Sequence, residues 1–251
     1  MGLLKTSGIV LKTTKYGDTS LIVTVLTRDY GKISAMASGV RSKKSRMVAG
    51  LQLFAYSELL MYKAKQKNGL YHLDEMTVIE SFEGLRTDLL KMAYASYFAE
   101  AASAAATEDE FEEEVLRLLL NALYLLEKGE MDYEKIKTVF EWRLAAVAGY
   151  APVVDACANC KNDEGLSLSF KDGTVFCENC APNLEGMAKL SKVMQRIIEY
   201  IVSSDSKKIF AFDAGQDTVN YLSRVSEVYL SCQLECEFNT LSYLKKVKTL
   251  G

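Results

Sequence analysis

Along the first 80 residues, apolar and polar positions alternate in short runs, and from Leu85 onward the repeat lengthens to that of a helix. The runs 8–14, 20–27, 32–38, 51–63 and 70–80 are rich in β-branched and aromatic residues and predict five strands. Turn signals divide them at Tyr16-Gly17-Asp18, at Arg28-Asp29-Tyr30-Gly31, across 39–50 and at Asn68-Gly69. Five strands in so short a stretch are the size of a small closed barrel such as the OB-fold, with an SH3-like barrel as the rival. Phe54, Tyr56 and Tyr62 share a parity on the fourth strand and so one face, where they either stack bases or fill the barrel. His72, between Tyr71 and Leu73, is assigned no role.

The second part of the chain reads as helix. A first helix is expected over 85–106, ending in an Ala-rich stretch that allows close approach. Thr107 and Glu110 form a capping box ahead of the face Val115, Leu118, Leu119, Ala122, Leu125 and Leu126. Asp132 caps a helix carrying Ile136, Val139, Phe140, Leu144 and Val147, with Gly149 as its stop. Residues 187–203 and 214–236 read as two more helices, the latter capped by Asp213. Cys232 and Cys236 fall on the apolar stripe of Leu222, Val225 and Tyr229, which predicts core packing for both. The expected fold class is α+β multidomain: an OB-fold barrel over 1–80, then a helical domain over 81–251.

One insertion interrupts the helices. Cys157, Cys160, Cys177 and Cys180 are spaced C-x2-C-x16-C-x2-C, which reads as a four-thiolate zinc ribbon over 153–184. Each C-x2-C turn aims two thiolates at one metal, and Asp172-Gly173 supplies the turn that brings the pairs together. Four thiolates fill the coordination shell of Zn2+, so the metal is expected to hold structure and leave no position for substrate. Two disulfides or four buried thiols are the alternatives.

Charge is unevenly distributed behind a net value of −3. Residues 1–80 carry 12 Lys+Arg against 6 Asp+Glu, and residues 81–156 carry 7 against 15. Such a split suggests two domains with different partners. The 39–50 loop holds Arg41, Lys43, Lys44 and Arg46, and no acidic residue lies between Tyr30 and Ser57. Lys63, Lys65 and Lys67 add a second basic strip. Cations grouped this way on a barrel suit a nucleic-acid backbone, because binding releases condensed counterions; a solvated surface loop is the alternative. The run Glu108-Asp109-Glu110 and Glu112-Glu113-Glu114 is expected to open a helix, where carboxylates meet the macrodipole favourably.

Enzymatic signatures are missing. No phosphate loop, dinucleotide fingerprint or nucleophile elbow is present, and a single histidine supplies no His-based catalytic pair. Catalysis is not expected. Neither a leader-like apolar stretch at residues 1–15 nor a long apolar run is found, and the thiols suit a reducing compartment. The expected location is the cytoplasm.

Basic barrel, helical body and inserted ribbon, in that order, resemble the RecO family of recombination mediators. The likeness rests on the opening S-G-I-V-L-K-T-T-K-Y-G-D-T-S-L-I-V-T-V-L-T, the Y-G-K-I that follows and the G-V-R-S-K-K-S loop. It continues in F-E-W-R-L-A-A-V-A-G-Y-A-P leading into C-A-N-C. The resemblance implies binding of single- and double-stranded DNA and annealing of complementary strands. It also implies contact with the single-strand binding protein SSB and cooperation with RecR to help load RecA onto SSB-coated DNA. By that likeness Arg41, Lys43, Lys44 and Arg46 contact DNA and Cys157, Cys160, Cys177 and Cys180 bind zinc; Arg143, beside Trp142 and Phe140, is a candidate for the acidic SSB tail, with a core position as the alternative. A zinc-ribbon interaction scaffold or transcription regulator is the alternative.

Overall fold

In a computed structural model, which describes residues 2–41, 47–63, 70–107, 111, 113–181 and 186–250, the elements follow in this order. First come β1 (Leu4–Tyr16), β2 (Ser20–Thr27), β3 (Lys32–Ala37), β4 (Tyr56–Lys63) and β5 (Tyr71–Glu80). Then come α1 (Glu83–Thr87), α2 (Leu89–Ala105), α3 (Glu113–Lys128) and α4 (Tyr133–Val147). The ribbon strands β6 (Leu166–Ser169), β7 (Val175–Cys177) and β8 (Met187–Lys189) precede α5 (Lys192–Ser203), α6 (Gln216–Gln233) and α7 (Asn239–Lys248). Contacts divide the chain into two compact units, Met1–Glu127 with Thr240–Gly251, and Lys128–Asn239.

The first unit is built on a closed barrel of order β1-β2-β3-β5-β4. All its pairings are antiparallel except β3 with β5, where Ala35 meets Tyr71 and Met36 meets His72. That parallel seam, with closure of β1 onto β4, is the OB arrangement and sets aside the SH3-like alternative. Alternation decides what faces in. On β4, Ser57, Leu59 and Met61 are buried, while Tyr56, Glu58, Leu60 and Tyr62 point outward. Inside, Val10, Val23, Val25, Ile33, Leu59 and Met61 form the core. Gly8 is required where β1 presses on β2, since a Cβ there would lie 2.8 Å from Val25 and 2.9 Å from the Leu26 carbonyl. The ladder slips between Val10 and Lys12, a bulge that re-aims the far end of β1.

Phe54 departs from expectation. It lies outside β4, at φ 69°, and is fully buried. Its backbone N–H donates to the Val10 carbonyl at 3.0 Å. The expected fourth strand therefore starts at Tyr56, because the chain must turn before it can pair with β1. The single helix expected over 85–106 is two, divided at Asp88, whose side chain accepts from the N–H groups of Leu90 and Lys91 and caps α2. Glu110 of the expected capping box, and the Asn68-Gly69 turn, lie outside the described residues. Helix α7, not foreseen, belongs to this unit; the Thr240 N–H donates to the Glu100 carboxylate of α2 at 2.8 Å.

The second unit joins α4, α5 and α6 to the ribbon sheet, ordered β7-β6-β8. Asp132 caps α4 as expected, accepting from Lys135 N–H at 2.8 Å. Residues 187–189 were expected to open a helix and instead form β8 on β6. The helix begins three residues later at Lys192, capped by the Ser191 hydroxyl. Likewise α6 starts at Gln216 with Gly215, not Asp213, as its cap and ends at Gln233, short of Cys236. Cys232 is exposed and Cys236 half-buried, so the expected core role of Cys232 does not hold. Trp142, fully buried, meets Tyr229 at 5.0 Å between ring centroids. Beside it the buried Lys137 ammonium contacts the Glu141 and Glu227 carboxylates at 2.9 and 3.3 Å.

Candidate metal centre and nucleic-acid interface

The ribbon brings four thiols to one point. The first knuckle closes through Lys161 N–H to the Cys157 carbonyl at 3.0 Å, with Lys161 at φ 63°. The second closes through the N–H groups of Cys180 and Ala181, both donating to the Cys177 carbonyl at 3.0 Å. Pairing of Leu166 with Cys177 in the β6–β7 hairpin sets their register. The hairpin turn is the Asp172-Gly173 step. There the Ser169 hydroxyl donates to the Asp172 carboxylate at 2.6 Å, and Gly173 adopts φ +68° with the Tyr229 hydroxyl 3.0 Å from where a Cβ would stand.

The four Sγ atoms of Cys157, Cys160, Cys177 and Cys180 lie within 4.8 Å of one another, and those of Cys160 and Cys177 are 3.6 Å apart. A tetrahedral zinc with Zn–S of about 2.3 Å requires S···S edges of about 3.8 Å, so the cluster has nearly that size already. All six cysteines are free thiols. The backbone N–H of Cys160 donates to the Cys157 sulfur and draws its pKa down to about 6. The Cys180 thiol instead donates towards the Cys160 and Cys177 sulfurs, which holds it protonated and pushes its pKa up to about 12. Four like charges this close cannot all form unaided, and a cation at their centre would remove that conflict. Two of the thiols, Cys157 and Cys177, are buried. Ion pairs Lys189–Glu178 at 2.8 Å and Lys192–Asp163 at 2.7 Å flank the ribbon on its exposed side.

The expected basic residues lie on the first unit. Of the loop cations, Arg41 is described; Lys43, Lys44 and Arg46 lie outside the described residues, as do Lys65 and Lys67 of the second strip. Arg41 is exposed, and its guanidinium donates to the carbonyls of Gly17 and Asp18 at 3.3 and 2.9 Å. Lys63 is exposed at the end of β4, its ammonium 5.1 Å from the centroid of the Tyr71 ring. Tyr62 stacks on His72 on the outer wall, with centroids 5.1 Å apart and planes 6° from parallel. Tyr56 donates to the Ser7 hydroxyl at 2.9 Å. The three aromatics thus divide: Phe54 fills the core, while Tyr56 and Tyr62 stand outside.

Sequence reasoning passed over the tip of the β1–β2 hairpin, where residues 12–19, including Lys12, Lys15 and Tyr16, are exposed. The signal was there: along 12–16 no position of either parity is aliphatic. Arg143 donates to the Val202 carbonyl at 2.6 Å and finishes α5, while Phe140 and Trp142 beside it are fully buried. No helix among the described residues is long and apolar enough to cross a membrane.

Fold and site together define a class: an OB-type barrel followed by a helical region bearing a four-cysteine cluster. Comparison with known families gives the same division. Residues 1–82 match the family model for the N terminus of recombination protein O, and residues 86–242 match that for its C terminus. The chain belongs to the RecO family. It is 35% identical to the DNA repair protein RecO of Acetivibrio thermocellus, over 98% of this chain and 97% of that one. It is 33% identical to that of Bacillus pumilus, over 99% and 94% of the two chains, and 29% identical to that of Alkaliphilus metalliredigens, over 98% and 100%.

Proposed function

We propose that this chain is a non-enzymatic mediator of DNA repair and homologous recombination that binds single- and double-stranded DNA and anneals complementary strands. The observation that carries this reading is the match of both halves of the RecO family, in order, to the barrel and the helical region. Residues 1–80 act as the nucleic-acid-binding domain, with Arg41, Lys43, Lys44, Arg46, Lys63, Lys65 and Lys67 meeting the phosphate backbone. Residues 81–251, with the ribbon inserted over 153–184, act as the partner-binding body. There the chain meets RecR and the acidic tail of SSB, and with RecR it helps RecA displace SSB. Arg143 is the expected contact for that tail, which would have to compete with the Val202 carbonyl for the guanidinium. The protein works in the bacterial cytoplasm at the nucleoid.

Cys157, Cys160, Cys177 and Cys180 hold a structural Zn2+. The ion fixes two knuckles and a hairpin that are too small to bury a core of their own. Annealing needs no nucleotide hydrolysis, since holding two strands on adjacent proteins raises their local concentration. Fluorescence-quenching assays with SSB-coated complementary oligonucleotides test the proposal. Annealing well above the protein-free background is expected. Background-level annealing would instead favour an interaction scaffold or transcription regulator.

A further inference from the structure

The β1–β2 hairpin projects from the barrel, with its ladder holding as far as the pair Tyr16 and Ser20. At its foot opens a cleft of about 510 Å3, walled by Thr13 and Leu21 of the hairpin and by Arg41, Val48, Gln52 and Leu53. The volume is that of a small-ligand site. Leu21 and Leu53 are half-buried, and Val48 is 46% exposed, so the apolar lining meets solvent.

Arg41 is moored beside this lining. Its backbone N–H donates to the Thr19 carbonyl at 2.9 Å, and one guanidinium nitrogen is engaged by Gly17 and Asp18. A cation held this way has surrendered part of the two-pronged fork that grips a carboxylate or phosphate. What it keeps is a fixed flat face, and guanidinium planes stack on aromatic rings. Lys12 and Lys15 are exposed on β1 on either side of Thr13 in sequence, and no acidic residue lies between Tyr30 and Ser57. An anionic chain carrying flat rings suits these features together.

We infer that this cleft receives an unstacked base of a bound single strand, with Arg41 as the stacking surface and Thr13 and Gln52 at the polar edge of the base. The inference rests on the DNA-binding reading above and gives Arg41 a stacking role in addition to the phosphate contact proposed there. A duplex keeps its bases paired and stacked, so the cleft favours single strands.

Fluorescence anisotropy on the full chain tests it, with a labelled oligothymidylate and a strand of equal length in which internal bases are replaced by abasic sites. Both carry the same phosphates. The intact strand should bind roughly fivefold to a hundredfold tighter, the worth of stacking a base. Arg41→Lys keeps the charge and loses the plane; Val48→Trp fills the cleft from an exposed position. Each should bring the intact strand down to the abasic level. Equal binding of the two strands by the unmodified protein, with salt dependence intact, would overturn the cleft and leave DNA binding standing. Failure to bind either strand would overturn both. Displacement of the strand by an acidic peptide ending in Phe, lost in Val48→Trp and without any abasic effect, would assign the cleft to a protein tail instead.

Discussion

Trp142 shows what single residues decide. It is the one tryptophan of the chain, fully buried, and its indole N–H has no acceptor among the described residues. An unpaired buried donor carries a desolvation cost of about 1–3 kcal/mol. Replacing the indole by an apolar ring should therefore be mild. Trp142→Phe is expected to change unfolding free energy by less than about 1.5 kcal/mol, whereas Trp142→Ala should cost about 3–5 kcal/mol, measured by urea titration. A large loss in the Phe variant would mean that the N–H does have a partner. Gly173 offers a second test. A side chain there meets both a left-handed backbone and the Tyr229 hydroxyl at 3.0 Å, so Gly173→Ala should destabilise the chain by about 1–3 kcal/mol. At this scale the sequence spoke clearly where a residue type has one use. The C-x2-C spacing announced the thiol cluster, and Asp132 and Asp172-Gly173 announced a cap and a turn. It was silent on Phe54, whose parity matched the strand while its φ of 69° was fixed by a bond to Val10 from a distant part of the chain.

Among the elements, α4 and α6 are joined by a buried charged group. Lys137 donates to Glu141 and to the Ser223 carbonyl, and the Ser226 hydroxyl donates to Glu141 at 2.6 Å. Burial acts to lower the Lys137 pKa, but Glu141, Glu227 and Glu134 outweigh it and hold the ammonium above its ordinary range. A base with a raised folded pKa contributes stability that is complete below its unfolded value and lost as pH climbs through the folded one. This contribution should stay constant from neutral pH to about 10, the ordinary lysine value, and fall only above it. Lys137→Met leaves the acids without their cation and should cost about 3–5 kcal/mol. Pairing it with Glu141→Met should recover part of that loss, a sign that the penalty comes from the orphaned carboxylate. Element boundaries were the least legible part of the fold. Residues 187–189 carry a helical pattern, yet the edge of β6 claims them as β8. The polar spacing of α7 concealed a helix whose buried face is only Leu241, Leu244 and Val247.

For the whole molecule, order along the chain was readable because each part has its own physics. A period of two, then a period near 3.6, then paired cysteines mark barrel, helices and ribbon, and the uneven charge follows the same divisions. Tertiary closure was not readable, since the β3–β5 seam joins residues far apart in sequence. The metal should support the ribbon without taking part in binding. Elemental analysis should find about one zinc per chain, absent in Cys177→Ser, and chelation should lower thermal stability while single-strand affinity stays unchanged. The central claim, that positive charge on the barrel holds the nucleic-acid backbone, is tested most directly by the salt dependence of single-strand binding. Log–log slopes should be compared for the unmodified chain and a Lys43→Ala, Lys44→Ala, Arg46→Ala triple variant. The slope should flatten by about 2, near 0.7 for each lost phosphate contact; an unchanged slope would contradict the account.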